Sequence, residues 1–202
     1  MFGIYISFRG GNFVENRSKL QMLIVTALFA AITGILAQVV IPLPLVPITG
    51  QTLAIGLAAT ILGSRYGTLS SILYIIIGAV GVPVFAQMTS GFGVIFGPTG
   101  GFLVGFIPTA FIIGYYLEKT KFTILQAFIA NIIGMFVTLI IGTVWLKFVA
   151  DLSWMAAFMS GFAPFIVGGI IKAILAAWIG IVVRNRLLSA NILYFPSKSS
   201  AN

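Results

Sequence analysis

Lys172 stands near the centre of an apolar run, 162–183, ten residues from Phe162 and eleven from Val183. At 1.5 Å per helical residue each end of the run is about 15 Å away. A lysine stem covers less than half that distance, so snorkelling to water is strained. A basic residue at the centre of a membrane helix costs roughly 2.5–3.5 kcal/mol on insertion scales. No carboxylate lies near it in sequence. Such a charge points to the anionic group of a ligand. The alternative is a lysine held by helix-end carbonyls or a watery crevice. Gly168 and Gly169 lie one turn earlier on the same face. They remove bulk beside the ammonium or, equally, let another helix pack closely.

The other polar residues inside apolar runs carry weaker signals. Gln51 and Thr52 begin one run, Tyr74 sits within the next, and Asn131 and Thr138 lie in a later one. Thr89 belongs to a glycine-rich stretch, 81–101. Gln51, Tyr74 and Thr89 are candidates for ligand contact. Asn131 fits interhelical packing better, since such hydrogen bonds are common in membranes and average about 0.6 kcal/mol. Catalytic chemistry finds little to work with. There is no cysteine or histidine, and Glu15, Glu118 and Asp151 are the only acids. Three separated carboxylates form no general acid/base pair, and no nucleophile has a partner base. No phosphate-binding GxxxxGK[ST] loop is present, so this chain is not expected to hydrolyse ATP. The expectation is a binding protein without a cofactor or metal, not an enzyme.

The elements that must position these residues follow from composition. The 202 residues are 60% hydrophobic and only 7% charged, where a soluble domain carries about 25% charged residues. That excludes a soluble globular domain and a disordered chain. Six apolar runs account for most of the sequence: 20–41, 51–63, 67–82, 101–117, 122–149 and 162–183. A spanning helix needs about 17–25 such residues. The second and third runs are short and only Ser64, Arg65 and Tyr66 separate them. One helix over both would be too long, and Gly63 and Gly67 flank a polar turn. The expectation is an all-α integral membrane protein with six transmembrane helices, spanning 20–186. Residues 1–19 and 187–202 form short segments on either side. The first 19 residues lack the small-residue exit of a cleavable signal.

Charge gives the orientation. Arg9, Arg17 and Lys19 precede the first run. Arg65 follows the second, Lys119 and Lys121 follow the fourth, and Arg184, Arg186 and Lys198 follow the sixth. The intervening loops hold only Lys147. The positive-inside rule then places both termini in the cytoplasm, which an even number of helices requires. The net charge of +8 thus reads as topology and anionic headgroups rather than nucleic acid.

The two loops on the other side are unusual. Pro42-Leu-Pro-Leu-Val-Pro47 cannot continue a helix. The stretch 81–101 is long, glycine-rich and apolar, a poor solvated linker. Irregular backbone at membrane depth is tolerated where it is buried in protein or lines a cavity, so this stretch is expected to fold over the mouth of a binding cavity. On the first helix, Ala27 and Ala31 form a small-xxx-small face with Ala30, Gly34 and Ala37 adjacent. It lets a helix of this chain or of a partner approach closely.

Five strings together resemble the BioY family, the biotin-specific substrate-binding (S) component of energy-coupling factor (ECF) transporters. They are Pro44-Leu-Val-Pro-Ile-Thr-Gly-Gln-Thr-Leu53, Leu62-Gly-Ser-Arg-Tyr-Gly67, Gly78-Ala-Val-Gly-Val-Pro-Val-Phe-Ala86, Gly97-Pro-Thr-Gly-Gly-Phe-Leu-Val-Gly-Phe106 and Ile171-Lys-Ala173. They run in order over nearly the whole chain. The resemblance implies the S-component fold in a cell membrane and an outward-facing vitamin pocket capped by the glycine-rich loop. It implies partners too: a transmembrane coupling subunit and two ATPases that supply the ATP hydrolysis. It also implies that Ala27 and Ala31 contact the coupling subunit and that Lys172 contacts biotin.

One position departs from the family's pattern. Its sixth-helix motif is similar to Pro-Gly-Asp-x-x-Lys, and here Gly169 stands at the aspartate position and Val167 at the proline. Gly169 neither neutralises the lysine nor accepts a ureido N–H. Either biotin binds with Gln51, Tyr74 or loop backbone as acceptor, or the scaffold takes lipoate or another small carboxylate. A stand-alone secondary transporter is the rival of another class. It needs coupling-ion ligands at the midplane, and this sequence has no intramembrane carboxylate to offer.

Overall fold

A computed structural model describes residues 10–193, with side chains from residue 19 onward. Arg9 and Lys198 of the charge argument lie outside the described residues, as do the side chains of Glu15 and Arg17 and most of the expected C-terminal tail. The elements are α1 (Gly10–Leu36), β1 (Val40–Ile41), β2 (Ile48–Thr49), α2 (Gln51–Ala79), α3 (Phe92–Phe96), α4 (Gly100–Lys119), α5 (Ile124–Val149), α6 (Trp154–Gly161) and α7 (Phe165–Ser189). Among the described residues five stretches are long and apolar enough to cross a membrane: Lys19–Leu36, Gln51–Ala79, Gly100–Lys119, Ile124–Val149 and Trp154–Ser189.

The second stretch contains the two short helices expected of it, but the break between them is not at Ser64, Arg65 and Tyr66. Those three residues are helical, and the break is a single residue, Gly63, with φ +79° and ψ −174°. Only glycine occupies that region readily. The break reverses the chain. Gln51 Nε2 donates to Tyr74 Oη at 2.5 Å, although one straight helix would hold them about 35 Å apart. A Cβ on Gly67 would lie 2.8 Å from Ala59 Cα. Residues 51–62 and 64–79 are therefore two antiparallel limbs.

Charged side chains from two other helices hold this reversal. The Ser64 N–H and hydroxyl donate to Glu118 Oε1 and Oε2, both at 2.7 Å. The carboxylate thus meets the positive dipole end of the second limb. Arg184 of α7 donates to the Ile61 carbonyl at the negative end of the first limb, and its guanidinium lies 3.5 Å from the centre of the Phe122 ring. The turn ties the middle of α2 to the C-terminal ends of α4 and α7.

At the opposite end, β1 and β2 pair antiparallel, with Val40 opposite Thr49 and Ile41 opposite Ile48. This two-residue ladder is an addition to the expected all-helical fold. The prolines that exclude a helix lie in its connecting loop, and the ladder delivers Thr49 to the start of α2. The glycine-rich stretch contains a 3₁₀ turn at Ala86–Met88 and the short helix α3. The last expected run, 162–183, falls mostly in α7, which starts at Phe165 and continues to Ser189, and the short α6 precedes the run. Helix α1 starts at Gly10 and stops at Leu36, earlier at both ends than the apolar run 20–41, because β1 claims Val40 and Ile41.

The main core gathers Ile55, Tyr74, Phe85, Phe106, Ile113 and Leu117, with Ala177 and Ile181 of α7 closing it. Helix α1 covers the first limb of α2 through Met22, Val25 and Phe29 against Ile61 and Leu62. Its other face exposes Leu20, Ile24, Leu28 and Ile35, a helical-period stripe suited to lipid. Ala27 and Ala31 lie in this exposed stripe, whereas Ala30, Gly34 and Ala37 are buried.

Candidate functional site

Three elements converge at the hairpin end. Helix α7 brings Lys172, β2 brings Thr49, and the first turn of α2 brings Gln51 and Thr52. The Lys172 ammonium donates to the Thr49 carbonyl at 2.6 Å and to Thr52 Oγ1 at 3.1 Å. Both acceptors are neutral. The described carboxylates, Glu118 and Asp151, line neither this cavity nor its extension, so Lys172 sits half-buried without a counter-ion among the described residues. An ammonium has three donors, and these two acceptors satisfy two of them.

A hydrogen-bonded chain continues from there. Thr49 Oγ1 donates to Gln51 Oε1 at 2.7 Å, Gln51 Nε2 donates to Tyr74 Oη, and Tyr74 Oη donates to the Val84 carbonyl at 3.0 Å. It links β2, both limbs of α2 and the start of the glycine-rich stretch.

Lys172 borders a cavity of about 350 Å³, within the ~300–1,000 Å³ of small-molecule sites. The proline loop, residues 43–47, forms one wall. The glycine-rich stretch forms another through Phe85, Thr89 and Val94, and Phe102, Phe106 and Phe165 of the helices form the rest. A smaller chamber of about 50 Å³ adjoins it, lined by Ile55, Ile113, Met135 and Gly169. Lys172, Thr52 and Thr138 border both, so the ammonium stands at the junction. One cation among neutral polar groups and aromatic walls suits an anionic or strongly hydrogen-bonding group on an apolar body. No carboxylate, thiol or imidazole is present to transfer a proton or attack a substrate.

The candidates separate into groups. Lys172, Gln51 and Thr89 all line the larger cavity. Gly169 lines the inner chamber, but the space beside it is not empty, since a Cβ there would collide with Met135 Sδ. The bulk missing from α7 is supplied by α5. Gly168 has nothing within 4 Å of its Cβ position. Tyr74 does not reach the cavity wall. It is 1% exposed and stands behind Gln51, which it orients. The Thr89 hydroxyl donates to the Ala86 carbonyl at 2.8 Å. Asn131 donates to Thr60 Oγ1 at 3.0 Å and to the Ala127 carbonyl at 2.8 Å, the packing role expected of it. Ala27 and Ala31 do not line the cavity.

Sequence reasoning missed Gln38 and Trp145. Gln38 donates to the Phe85 carbonyl at 2.9 Å, and its Oε1 accepts from the Met88 N–H at 2.9 Å. Trp145 Nε1 donates to the Gly97 carbonyl at 3.0 Å. Both hold the glycine-rich stretch in place. A glutamine near the end of the apolar run 20–41 was the available signal for the first. A tryptophan carries no comparable mark.

Comparison with known proteins gives a consistent result. The model of the BioY family matches residues 13–189. Biotin transporter BioY2 of Lactococcus lactis subsp. cremoris is 44% identical over 174 residues, covering 86% of this chain and 96% of that protein. Biotin transporter BioY of Thermotoga maritima is 38% identical over 163 residues, covering 80% and 95%. Among solved structures, the S-component for biotin from an ECF-type ABC transporter superposes with a TM-score of 0.78 at 30% identity, covering 84% of this chain and 94% of that one.

Proposed function

The chain belongs to the BioY family, a family of multi-pass membrane transport components rather than enzymes, and on that premise we propose that it is the biotin-binding S component of an ECF-type importer. The observation that carries this reading is the cavity of about 350 Å³ with a lysine at its inner junction and no carboxylate to neutralise it. A bound carboxylate or ureido oxygen supplies the missing acceptor to Lys172. Gln51 adds a second polar contact from the α2 end, and the phenylalanine walls take the apolar body. Each 100 Å² of apolar surface so buried contributes about 2.5 kcal/mol.

The same reading gives six crossings, the two limbs of α2 counting separately, with both termini cytoplasmic and residues 20–186 as the binding domain. The cavity then opens outward beneath the proline loop and the glycine-rich stretch. Ala27 and Ala31, exposed on α1, provide the notch for a transmembrane coupling subunit. Two partner ATPases provide the hydrolysis for which this chain has no phosphate loop, and the chain itself needs no cofactor.

A second reading keeps the scaffold and changes the ligand. With Met135 packed over Gly169, α7 presents no carboxylate to accept a ureido N–H. Lipoate or another small acid needs only the cation and the apolar walls.

Binding of radiolabelled biotin to the purified protein, with lipoate as competitor, separates the two. Tight biotin binding that lipoate leaves unchanged is the expected result. Lipoate binding without biotin binding would move the assignment to the second reading.

A further inference from the structure

Residues 84–89 form one of the two parts of the glycine-rich stretch that line the cavity, through Phe85, Ala86, Gln87 and Thr89, and they are held from two sides. On one side Tyr74 donates to the Val84 carbonyl. On the other, Gln38 grips two backbone groups at once, donating to the Phe85 carbonyl while accepting from the Met88 N–H, each at 2.9 Å. The Phe85 ring between these contacts is 1% exposed, lines the cavity and meets Tyr74 edge to face at 5.6 Å. Gln87 and Met88 adopt φ of +57° and +58°. Two successive residues with a Cβ in the left-handed region are disfavoured and persist only where surrounding contacts over-determine them. Gln38 provides such a contact at Met88.

Gln38 in turn belongs mechanically to α1. It lies two residues beyond the helix end, its N–H bonds the Ile35 carbonyl at 3.1 Å, and its Nε2 also reaches the Gly34 carbonyl at 3.2 Å. The same helix carries Ala27 and Ala31 on its exposed face. One rigid rod thus joins an open face on one side to the wall of the cavity at its end.

We propose that Gln38 is a clasp that holds residues 84–89 closed over the cavity, and that it makes α1 the lever by which that closure is released. This rests on the reading of the cavity as the biotin site. A partner that shifts α1 carries Gln38 with it and withdraws both contacts from the segment, which then relaxes from its strained conformation and uncovers the ligand. Gln38 touches no ligand in this scheme. It is a positioning residue.

The variants Gln38→Met and Gln38→Glu test it. Methionine has similar length and removes both contacts, whereas glutamate keeps the acceptor for Met88 and loses the donors. Hydrogen exchange over residues 84–91 in the purified, ligand-free protein reads the clasp itself. Dissociation of radiolabelled biotin reads its effect on the ligand. Each is expected to quicken roughly tenfold in Gln38→Met, the effect of one to two net hydrogen bonds, and less in Gln38→Glu. The thermal melting point of the ligand-free protein should stay near wild type, which a general folding defect would not allow. Unchanged exchange, or faster exchange with unchanged dissociation, overturns the clasp. If the wild type binds no biotin but exchange still responds to Gln38→Met, the substrate reading fails and the clasp stands. The lever is read with the partner subunits in proteoliposomes. ATP should speed biotin release in the wild type, and that acceleration should shrink towards none in Gln38→Met. An acceleration equal to wild type overturns the lever.

Discussion

Two of the three cations of helix α7, Lys172 and Arg184, lie twelve residues apart, about 18 Å along its axis, and their surroundings differ in kind. Arg184 is 7% exposed. It bonds the Ile61 carbonyl, lies on the Phe122 ring and feels the charge of Glu118. Every partner there is protein, and the cluster closes a helix reversal. Lys172 is half-buried beside a cavity, with a carbonyl and a hydroxyl as its partners and no carboxylate. The arginine site is complete within the chain, and the lysine site leaves one ammonium donor without a protein acceptor among the described residues. A buried charge already provided with counter-charge and acceptors holds the fold together, whereas one left short of them beside a cavity is the position proposed for a ligand.

Four substitutions test that contrast, and the largest effect belongs to the closed site. Arg184→Ala should destabilise the protein by about 3 kcal/mol, since it leaves the helix-end carbonyl of Ile61 without its donor and takes the cation from the Phe122 ring and from the neighbourhood of Glu118. This is measured as a fall in thermal midpoint and in yield of monodisperse protein in detergent. A biotin affinity close to wild type in the folded fraction is expected, and a selective loss of binding at normal stability would erase the contrast. Lys172→Met should do the opposite. Binding should fall about 100-fold, equivalent to about 2.7 kcal/mol, while the melting temperature of the ligand-free protein holds or rises. Equilibrium binding and a melt of the same preparation decide it, and unchanged affinity would remove Lys172 from the site.

Gly63→Ala probes the reversal without touching a charge. Its φ of +79° excludes a Cβ at a cost of about 1–3 kcal/mol, and the new methyl would press on Glu118. A lowered midpoint with retained binding is expected, and a neutral outcome would mean that the turn tolerates another geometry. The smallest effect is expected of Asn131→Leu. This residue borders the inner chamber yet spends its amide on Thr60 and Ala127. Stability should fall by about 0.6 kcal/mol with affinity within twofold. A large loss of affinity would place Asn131 with Lys172 rather than with the packing groups.

Much of this contrast was visible in the sequence for one cation and invisible for the other. Lys172 stood out because it interrupts an apolar run far from either end. Arg184 reads as an ordinary basic residue after the last run, because nothing local shows that Glu118 of α4 and Phe122 of the α4–α5 connection lie beside it. Gln51 was legible as a polar residue at a helix start. Tyr74 was legible as a polar candidate for ligand contact, but its place behind Gln51 was not, because that needs the reversal at Gly63. Gln38 went unnoticed since its partners, Phe85 and Met88, lie 47 and 50 residues away.

The chain's composition, the spacing of its apolar runs and its ordered motifs determined by themselves that it is a helical membrane protein of the BioY family with one anomalous intramembrane lysine. Those properties follow from transfer free energies and backbone preferences, which each residue carries wherever it sits. The tertiary structure decided that one glycine reverses α2, that Met135 fills the space beside Gly169, that the carboxylate Glu118 serves the Arg184 end of α7 and not the Lys172 end, and that Gln38 joins α1 to the wall of the cavity. These depend on contacts between residues far apart in the chain, whose energies exist only once the helices have packed.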